Sequence, residues 1–204
     1  MGNYSGPKVR LSRALGVPIA ETPKHVSPRK TTRPGQHGFR RVKPTLYGTQ
    51  LKEKQKIACY YNLQNKQLRR YMKMAEASKQ TTDRAFQVLL ETRLDNVVRR
   101  LRWARTIWQA RQMVTHGHFL VNGRKVDLPS YRVKAGDVIE AKERSKKFVT
   151  EVIETTKSMG FAVPEWLVSD EATLKATVTR LPQFEEVRLP FDVDFTNIIE
   201  YYMR

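Results

Sequence analysis

The segment running from Glu91 to Arg144, ETRLDNVVRRLRWARTIWQARQMVTHGHFLVNGRKVDLPSYRVKAGDVIEAKER, leaves fewer folds open than any other part of this chain. Leu94, Val97, Val98 and Leu101 recur at i, i+3, i+4 and i+7, one apolar stripe of a helix. Arg93, Arg99, Arg100 and Arg102 fall on its flanks and back, where cations are expected to face outward. Thr106, with Gln109 three residues on, spells a capping box for a second helix. Ile107, Ala110 and Val114 then face inward with Met113 at the edge, which leaves Arg111 and Gln112 within reach of solvent or a ligand. Gly117 follows the last periodic residue, where a left-handed glycine ends a helix. Asn122-Gly123, between Phe119-Leu120-Val121 and Arg124-Lys125-Val126, is a type I′ hairpin signal. A second turn, Lys134-Ala135-Gly136-Asp137, separates Tyr131-Arg132-Val133 from Val138-Ile139-Glu140. These spacings predict a compact helix-helix-hairpin unit with its cations outside.

Charge says what such a unit meets. The formal net charge is +18, and its distribution is uneven. Residues 1–80 hold 18 Lys and Arg against 3 Asp and Glu, and residues 81–150 hold 15 against 7. Residues 151–204 reverse the balance, with 5 against 10. Two thirds of a chain at one sign repels itself until a polyanion relieves it. Nucleic acid fits, because each phosphate neutralised releases a condensed counterion. A membrane surface would call for a broadly amphipathic helix or a lipidation signal, and neither is legible. No apolar run approaches the ~20 residues of a membrane span, and no secretory leader is expected. One cysteine excludes an internal disulfide framework.

Residues 1–48 carry prolines 7, 18, 23, 28, 34 and 44 and glycines 2, 6, 16, 35, 38 and 48. With no apolar period beyond one turn near Leu11–Leu15, they are expected to form an extended basic arm that orders on RNA. Helical patterning begins at Thr49. Leu51 to Ile57 opens one helix; Leu68, Tyr71, Met72 and Ala75 mark a second; Thr82 caps a third that buries Phe86, Leu89 and Leu90. Glu143–Met159 is expected to be helical, with Val149, Val152, Ile153 and Thr156 in line and Gly160 as its stop. Leu174, Ala176 and Val178 alternate with polar residues as in a half-buried strand. The stretch from Asp192 fits helix or strand.

Catalytic chemistry finds little footing. Cys59 in IACYYN lies on a helix face expected to be buried, without a partnered histidine. His116-x-His118 is too sparse for zinc, and both histidines suit phosphate or a nucleotide better. Asp95 in Arg93-Leu94-Asp95 is expected to pair with a neighbouring arginine. Pro34-Gly35-Gln36-His37-Gly38 allows positive φ and close backbone approach to a ligand, although a simple surface turn fits the composition equally well.

The words RLDNVVRR, ARQMVTHGH, LVNGRKV, LPSYRV and GDVI, in this order and spacing, resemble the RNA-binding module named after small-subunit ribosomal protein four. Pseudouridine synthases, some tyrosyl-tRNA synthetases and RNA-binding stress factors carry similar modules. YSGPKVRLSRALG, PGQHGFRR at 34–41 and YGTQLKEKQKI at 47–57 resemble the N-terminal region of the same ribosomal family, and PEWL at 164–167 and the closing IIEYYMR fit it more loosely. The resemblance implies an α+β fold: a mainly helical N-terminal domain with a basic extended arm, plus a small helix-helix-hairpin RNA-binding domain. Its expected parts are an arm over 1–48, a helical domain over 49–90, the module over 91–154, and an acidic segment over 155–204 packing back on both. It implies a non-enzymatic, ribosome-bound protein of bacterial type, in the bacterial cytoplasm with the chloroplast as the alternative, that binds small-subunit rRNA, nucleates assembly of the subunit body and influences decoding accuracy. Small-subunit proteins five and three are its expected neighbours, near the path by which messenger RNA enters. Some family members hold zinc on arm cysteines. This chain has no cysteine before residue 59, so neither metal nor cofactor is expected. RNA contacts are expected at Lys8, Arg10, Arg13, Arg33, Gly35, Gln36, His37, Arg40 and Arg41 of the arm. In the helical domain they are expected at Lys54, Lys56, Arg69, Arg70 and Lys73. In the module they are expected at Arg93, Arg100, Arg111, Gln112, His116, His118, Asn122, Arg124, Ser130, Tyr131 and Lys134. The competing readings are an RNA-modifying enzyme of the pseudouridine synthase kind, acting through Asp95, and a free RNA-binding stress factor.

Overall fold

Turn chemistry and apolar period together account for most of the elements. The computed structural model describes residues 4, 6–20, 22–27, 31–40, 43–157, 162–187 and 189–203. The chain divides into two compact units, Met1–Phe86 with Leu189–Arg204, and Gln87–Arg188.

In the first unit the arm is less extended than its prolines and glycines suggest. Helix α1 (Lys8–Leu15) ends at Gly16, whose φ of 75° is the left-handed exit, and the single turn α2 (Pro23–Val26) opens on a proline at its first position. Ser12 Oγ lies 2.6 Å from His25 Nδ1 and accepts from the Ile19 amide at 3.4 Å. Ser12, Ile19, Ala20 and His25 are all buried. The breakers bound these two helices and do not abolish them. The node escaped the sequence reading because its members share no period.

Helix α3 (Leu46–Tyr60) starts before the expected Thr49: Thr45 caps it, its hydroxyl accepting from the Gly48 amide at 3.1 Å. Helix α4 (Asn65–Glu76) buries Leu68, Tyr71, Met72 and Ala75, as their spacing predicts. The ambiguous C-terminal stretch is helix α9 (Phe195–Met203), which packs on α3 and buries Ile198. Gln50 Nε2 donates to Glu200 Oε2 across that contact at 2.7 Å. Burial of side chains such as Ile57, Leu68 and Ile198 stabilises the unit by about 1.5–3 kcal/mol each.

Helix α5 (Thr82–Glu91) contains the division between units; Phe86 and Leu90 are buried, while Leu89 is only half-buried. The second unit continues with α6 (Leu94–Arg100) and α7 (Ile107–Thr115). Thr106 caps α7 through Gln109, whose side chain reaches one residue further back than a capping box would, to the Arg105 amide at 2.9 Å. At the other end Gly117 (φ 70°) donates to Val114 and His118 to Met113, a complete Schellman closure. Strands β1 (Phe119–Val121) and β2 (Arg124–Lys125) form the hairpin, with Asn122 and Gly123 at φ 50° and 75° as a type I′ turn requires. Tyr131–Val133 is not a strand of the sheet, although Arg132 makes a single antiparallel bridge to Arg93. Its loop instead caps α6, since the Pro129 and Tyr131 carbonyls accept the Asp95 and Leu94 amides. Strand β3 (Val138–Ala141) leads through a tight turn, Glu143–Ser145, into α8 (Lys146–Lys157), which buries Val149, Val152, Ile153 and Thr156. The expected stop of α8 at Gly160 lies outside the described residues.

Strands β4 (Leu167–Asp170) and β5 (Lys175–Val178) complete an antiparallel sheet of order β2-β1-β3-β5-β4. The alternation at Leu174, Ala176 and Val178 is the buried face of this sheet, over a core with Val97, Val114, Phe119, Ile139 and Trp166. The acidic C-terminal third is therefore not one segment. Its first part is strand for the second unit, because β3 needs a partner on its free edge, and its last part is helix for the first.

Candidate nucleic-acid interface

In α4 the buried stripe turns Arg69, Arg70 and Lys73 outward, and all three are exposed. No acid stands between Asn65 and Glu76 to draw them in. On α3, Lys54 and Lys56 are half-buried. Lys56 Nζ is bound to Glu53 at 2.7 Å, and Lys54 Nζ lies 4.9 Å from the centre of the Tyr201 ring. Burial pushes the Lys54 ammonium down from its ordinary value. Cys59 is half-buried on the same helix with its thiol pushed up by burial, as befits a structural cysteine.

The arm presents Arg10, Arg33, Gln36, His37 and Arg40 to solvent; Lys8 and Arg13 are half-buried, and Arg13 Nε donates to the Thr32 carbonyl at 3.0 Å. Arg41 lies outside the described residues. Gly35 takes the positive φ that the sequence suggested, 105°. Gly38 serves the chain itself, since a Cβ there would stand 1.9 Å from the Arg33 carbonyl oxygen.

The second unit corrects several expectations. Arg93 does not face outward. Its side chain is 1% exposed and grips Asp95, Nε to Oδ1 at 3.0 Å and Nη2 to Oδ2 at 2.6 Å. Arg111 is buried too, with Nη1 4.0 Å from the same carboxylate. Arg100 binds Glu91 in a bidentate fork at 3.0 and 2.8 Å. Asn96 donates to Glu91 at 2.7 Å and accepts from Arg99 at 2.8 Å. Helical spacing could place Arg93, Arg99 and Arg100 around α6 and Arg111 on α7, but it could not show that Asp95 draws in Arg93 and Arg111 and that Glu91 engages Arg100. Asn122 also holds the fold together, because its Nδ2 donates to Asp137 at 2.9 Å and its Oδ1 accepts from the Val138 amide at 2.9 Å. The Tyr131 ring is half-buried and packs against the core.

Gln112, His116, Arg124, Ser130 and Lys134 remain exposed. Gln112 and His116 share one helical face at i, i+4. His118 is half-buried; Ser145 Oγ lies 2.8 Å from its Nδ1, and burial, then His116 and Lys142, hold its ring below the ordinary histidine value. Sequence reading missed Lys125. That exposed residue lies across Gly117, where a Cβ would come within 2.5 Å of its Cε, so the glycine both ends α7 and admits the lysine. The hairpin register and the Gly117 stop were the available signals. The exposed groups are hydrogen-bond donors, and of them Lys125 has an exposed acid, Asp127, 3.9 Å from its ammonium; donors of this kind are the equipment for binding phosphate. Among the described residues no cluster of three or more His, Cys, Asp or Glu side chains is arranged to hold a metal ion. No described helix is long and apolar enough to cross a membrane.

Residues 3–91 match the family described as the ribosomal protein S4/S9 N-terminal domain, and residues 92–139 match the S4 domain. A protein of Aquifex aeolicus named Small ribosomal subunit protein uS4 is 43% identical over 213 residues, covering 100% of both chains. Proteins of the same name from a Geobacillus species and from Gloeobacter violaceus are each 42% identical over 100% of both chains. The chain belongs to the uS4 family. Its S4-domain match stops at residue 139, inside β3, whereas the sheet is completed by strands at 167–170 and 175–178. The uS4 likeness over the whole length is what takes in those strands and α9.

Proposed function

We infer that the chain works as its family does: it is a structural constituent of the small ribosomal subunit and binds the rRNA of that subunit directly. The observation that carries this reading is the full-length likeness to uS4 proteins at 43% identity, across both units and all of the arm. The distribution of charge supports it. Arg69, Arg70 and Lys73 on α4, and Gln112, His116, Arg124, Lys125 and Lys134 around the hairpin, are exposed groups suited to backbone phosphate. In the finer reading the protein clamps several rRNA helices through its two basic units, recognising shape and backbone more than base sequence. It nucleates the body of the subunit early in assembly. It sits in the cytoplasm on the ribosome beside small-subunit proteins three and five, near the path by which messenger RNA enters, and bears on decoding accuracy. It acts by binding alone. Asp95, the residue that a modifying enzyme would use, is wholly buried in the Arg93 fork and accepts the Asn96 amide besides.

Sucrose-gradient fractionation of native extract tests the assignment. The chain is expected in the small-subunit peak, and sedimentation as free protein or with the large subunit would overturn it. Binding of the purified chain to small-subunit rRNA should fall with log salt at a slope of about 0.7–0.9 per phosphate, with on the order of five contacts or more. A flat dependence would remove the electrostatic clamp.

A further inference from the structure

Phe148 has no place in the core of the second unit. The inward stripe of α8 runs through Val149, Val152, Ile153 and Thr156, and Phe148 stands one position off it, 42% exposed. Its ring neighbour is a histidine, which has a second histidine beside it. The His118 ring centre is 5.8 Å from that of Phe148 at an interplanar angle of 39°, and the His116 ring centre is 6.1 Å from that of His118 at 37°. The three rings make a strip from the end of α7 to the start of α8. Its rings are tilted on one another and not stacked.

The strip is held in place. The Ser145 hydroxyl meets His118 Nδ1, and the Lys142 amide donates to the His118 carbonyl at 2.9 Å. Burial, then His116 and Lys142, lower the pKa of His118, which favours its neutral ring. Cations lie close by in the chain: Arg144 and Lys147 are exposed within four residues of Phe148, on the turn and first residues of α8, and Lys142 is close enough to act on His118. Lys146 is engaged by Glu143 at 2.8 Å. An aromatic strip with exposed cations close by suits a nucleotide with its base out of the helix: the base has a π-face, and the phosphates on either side carry charge. A protein side chain would use the apolar surface and leave Arg144 and Lys147 idle.

We propose that His116, His118 and Phe148 form a stacking site for one unpaired rRNA nucleotide, whose flanking phosphates meet Arg144 and Lys147. The proposal rests on the rRNA-binding reading above and adds a base contact to a surface otherwise suited to phosphate. Phe148 supplies the outermost ring, and His118, with Nδ1 turned to Ser145, presents its remaining edge.

The test uses the complete chain and small-subunit rRNA, with Phe148→Leu and Phe148→Trp. Leucine keeps apolar bulk but has no ring, so Phe148→Leu should bind about tenfold more weakly with an unchanged salt slope, because stacking releases no counterions. Phe148→Trp should keep the affinity, and its emission, taken as the difference from the wild-type chain with its three native tryptophans, should be quenched in the binary complex. Urea melts of both variants check that the fold is intact, and if the leucine variant is unfolded the tryptophan emission decides alone. Wild-type affinity in Phe148→Leu, or an unquenched tryptophan, overturns the site. So does quenching that appears only in the assembled subunit and not with rRNA alone, which would make the strip a protein contact. Failure of the wild-type chain itself to bind rRNA would instead remove the functional reading beneath it.

Discussion

Helix α4 and the α5–α6 segment look alike as sequence and do opposite things with their arginines. QLRRYMKMA and TRLDNVVRR both set an apolar helical stripe among cations. In α4 the stripe goes in and Arg69, Arg70 and Lys73 stay out. In α6 the stripe also goes in, yet Arg93 and Arg99 are buried with it and Arg100 is half-buried. The difference is two acids. Asp95 gives the buried Arg93 guanidinium a bidentate partner and Glu91 gives one to the half-buried Arg100, with Asn96 accepting from Arg99, whereas α4 has no acid before Glu76. An arginine-rich motif in an RNA-binding module can thus be partly core, with its charge already neutralised before any RNA arrives. A buried pair of this kind is costly to break on one side, even where replacing both partners would not be.

The sharpest way to break the comparison is Asp95→Asn. It keeps the size of the side chain but leaves Arg93 buried without its charge partner, so a loss of about 3–5 kcal/mol is expected in urea unfolding. A loss under about 1 kcal/mol would mean that the buried network does little to hold the unit. Arg111→Ala comes next. From sequence alone it should weaken RNA binding and leave folding untouched. Burial beside Asp95 reverses that expectation, and the melting temperature should drop by an amount corresponding to roughly 1–2 kcal/mol. An unchanged melting temperature with weakened rRNA binding would restore Arg111 to the interface.

A third test extends the contrast to a buried histidine. Burial first, then Lys8, lowers the pKa of His25 in the folded arm below the ordinary 6.5. Below pH 6.5 the unfolded arm therefore takes up a proton that the folded arm resists. Stability of the α1–α2 node should be full above 6.5, fall as pH drops through 6.5, and stop falling below the folded-state value. Amide exchange at Gly16 and Ile19, corrected for intrinsic rates, should show the loss, and His25→Gln should abolish the pH dependence. Protection that is indifferent to pH between about 7.5 and 5 would show that the Ser12–His25 contact does not hold the node.

The smallest effect on folding belongs to the exposed set. Arg69→Ala and Arg70→Ala should leave the urea midpoint nearly unchanged, and each should reduce the salt slope of rRNA binding by about 0.7–0.9. If either variant unfolds the protein while Asp95→Asn does not, the assignment of core and surface cations has been made the wrong way round.

Local rules carried much of the site scaffold. The Asn122-Gly123 turn, the Gly117 stop, the Thr106 cap and the stripes of α4, α6 and α8 were all legible, because each depends on residues within a turn or two of chain. The node of Ser12, Ile19 and His25 was not, since nothing periodic links them. Lys125 and Phe148 were passed over for a related reason: one matters through its position across Gly117, the other through the histidine rings that follow α7, some thirty residues earlier in the chain.

Composition and spacing by themselves determined that this is a basic, RNA-suited chain with a helix-helix-hairpin unit, and its words resembled a single family that full-length likeness then established. Only the tertiary structure decided which cations remain free for RNA, that residues 167–178 supply two strands to the sheet of the second unit, and that the last residues form a helix on α3. Charge and period are properties of a residue and its near neighbours. Whether an arginine meets water or a carboxylate, and which strand fills the free edge of β3, depends on partners far along the chain that only folding brings within reach.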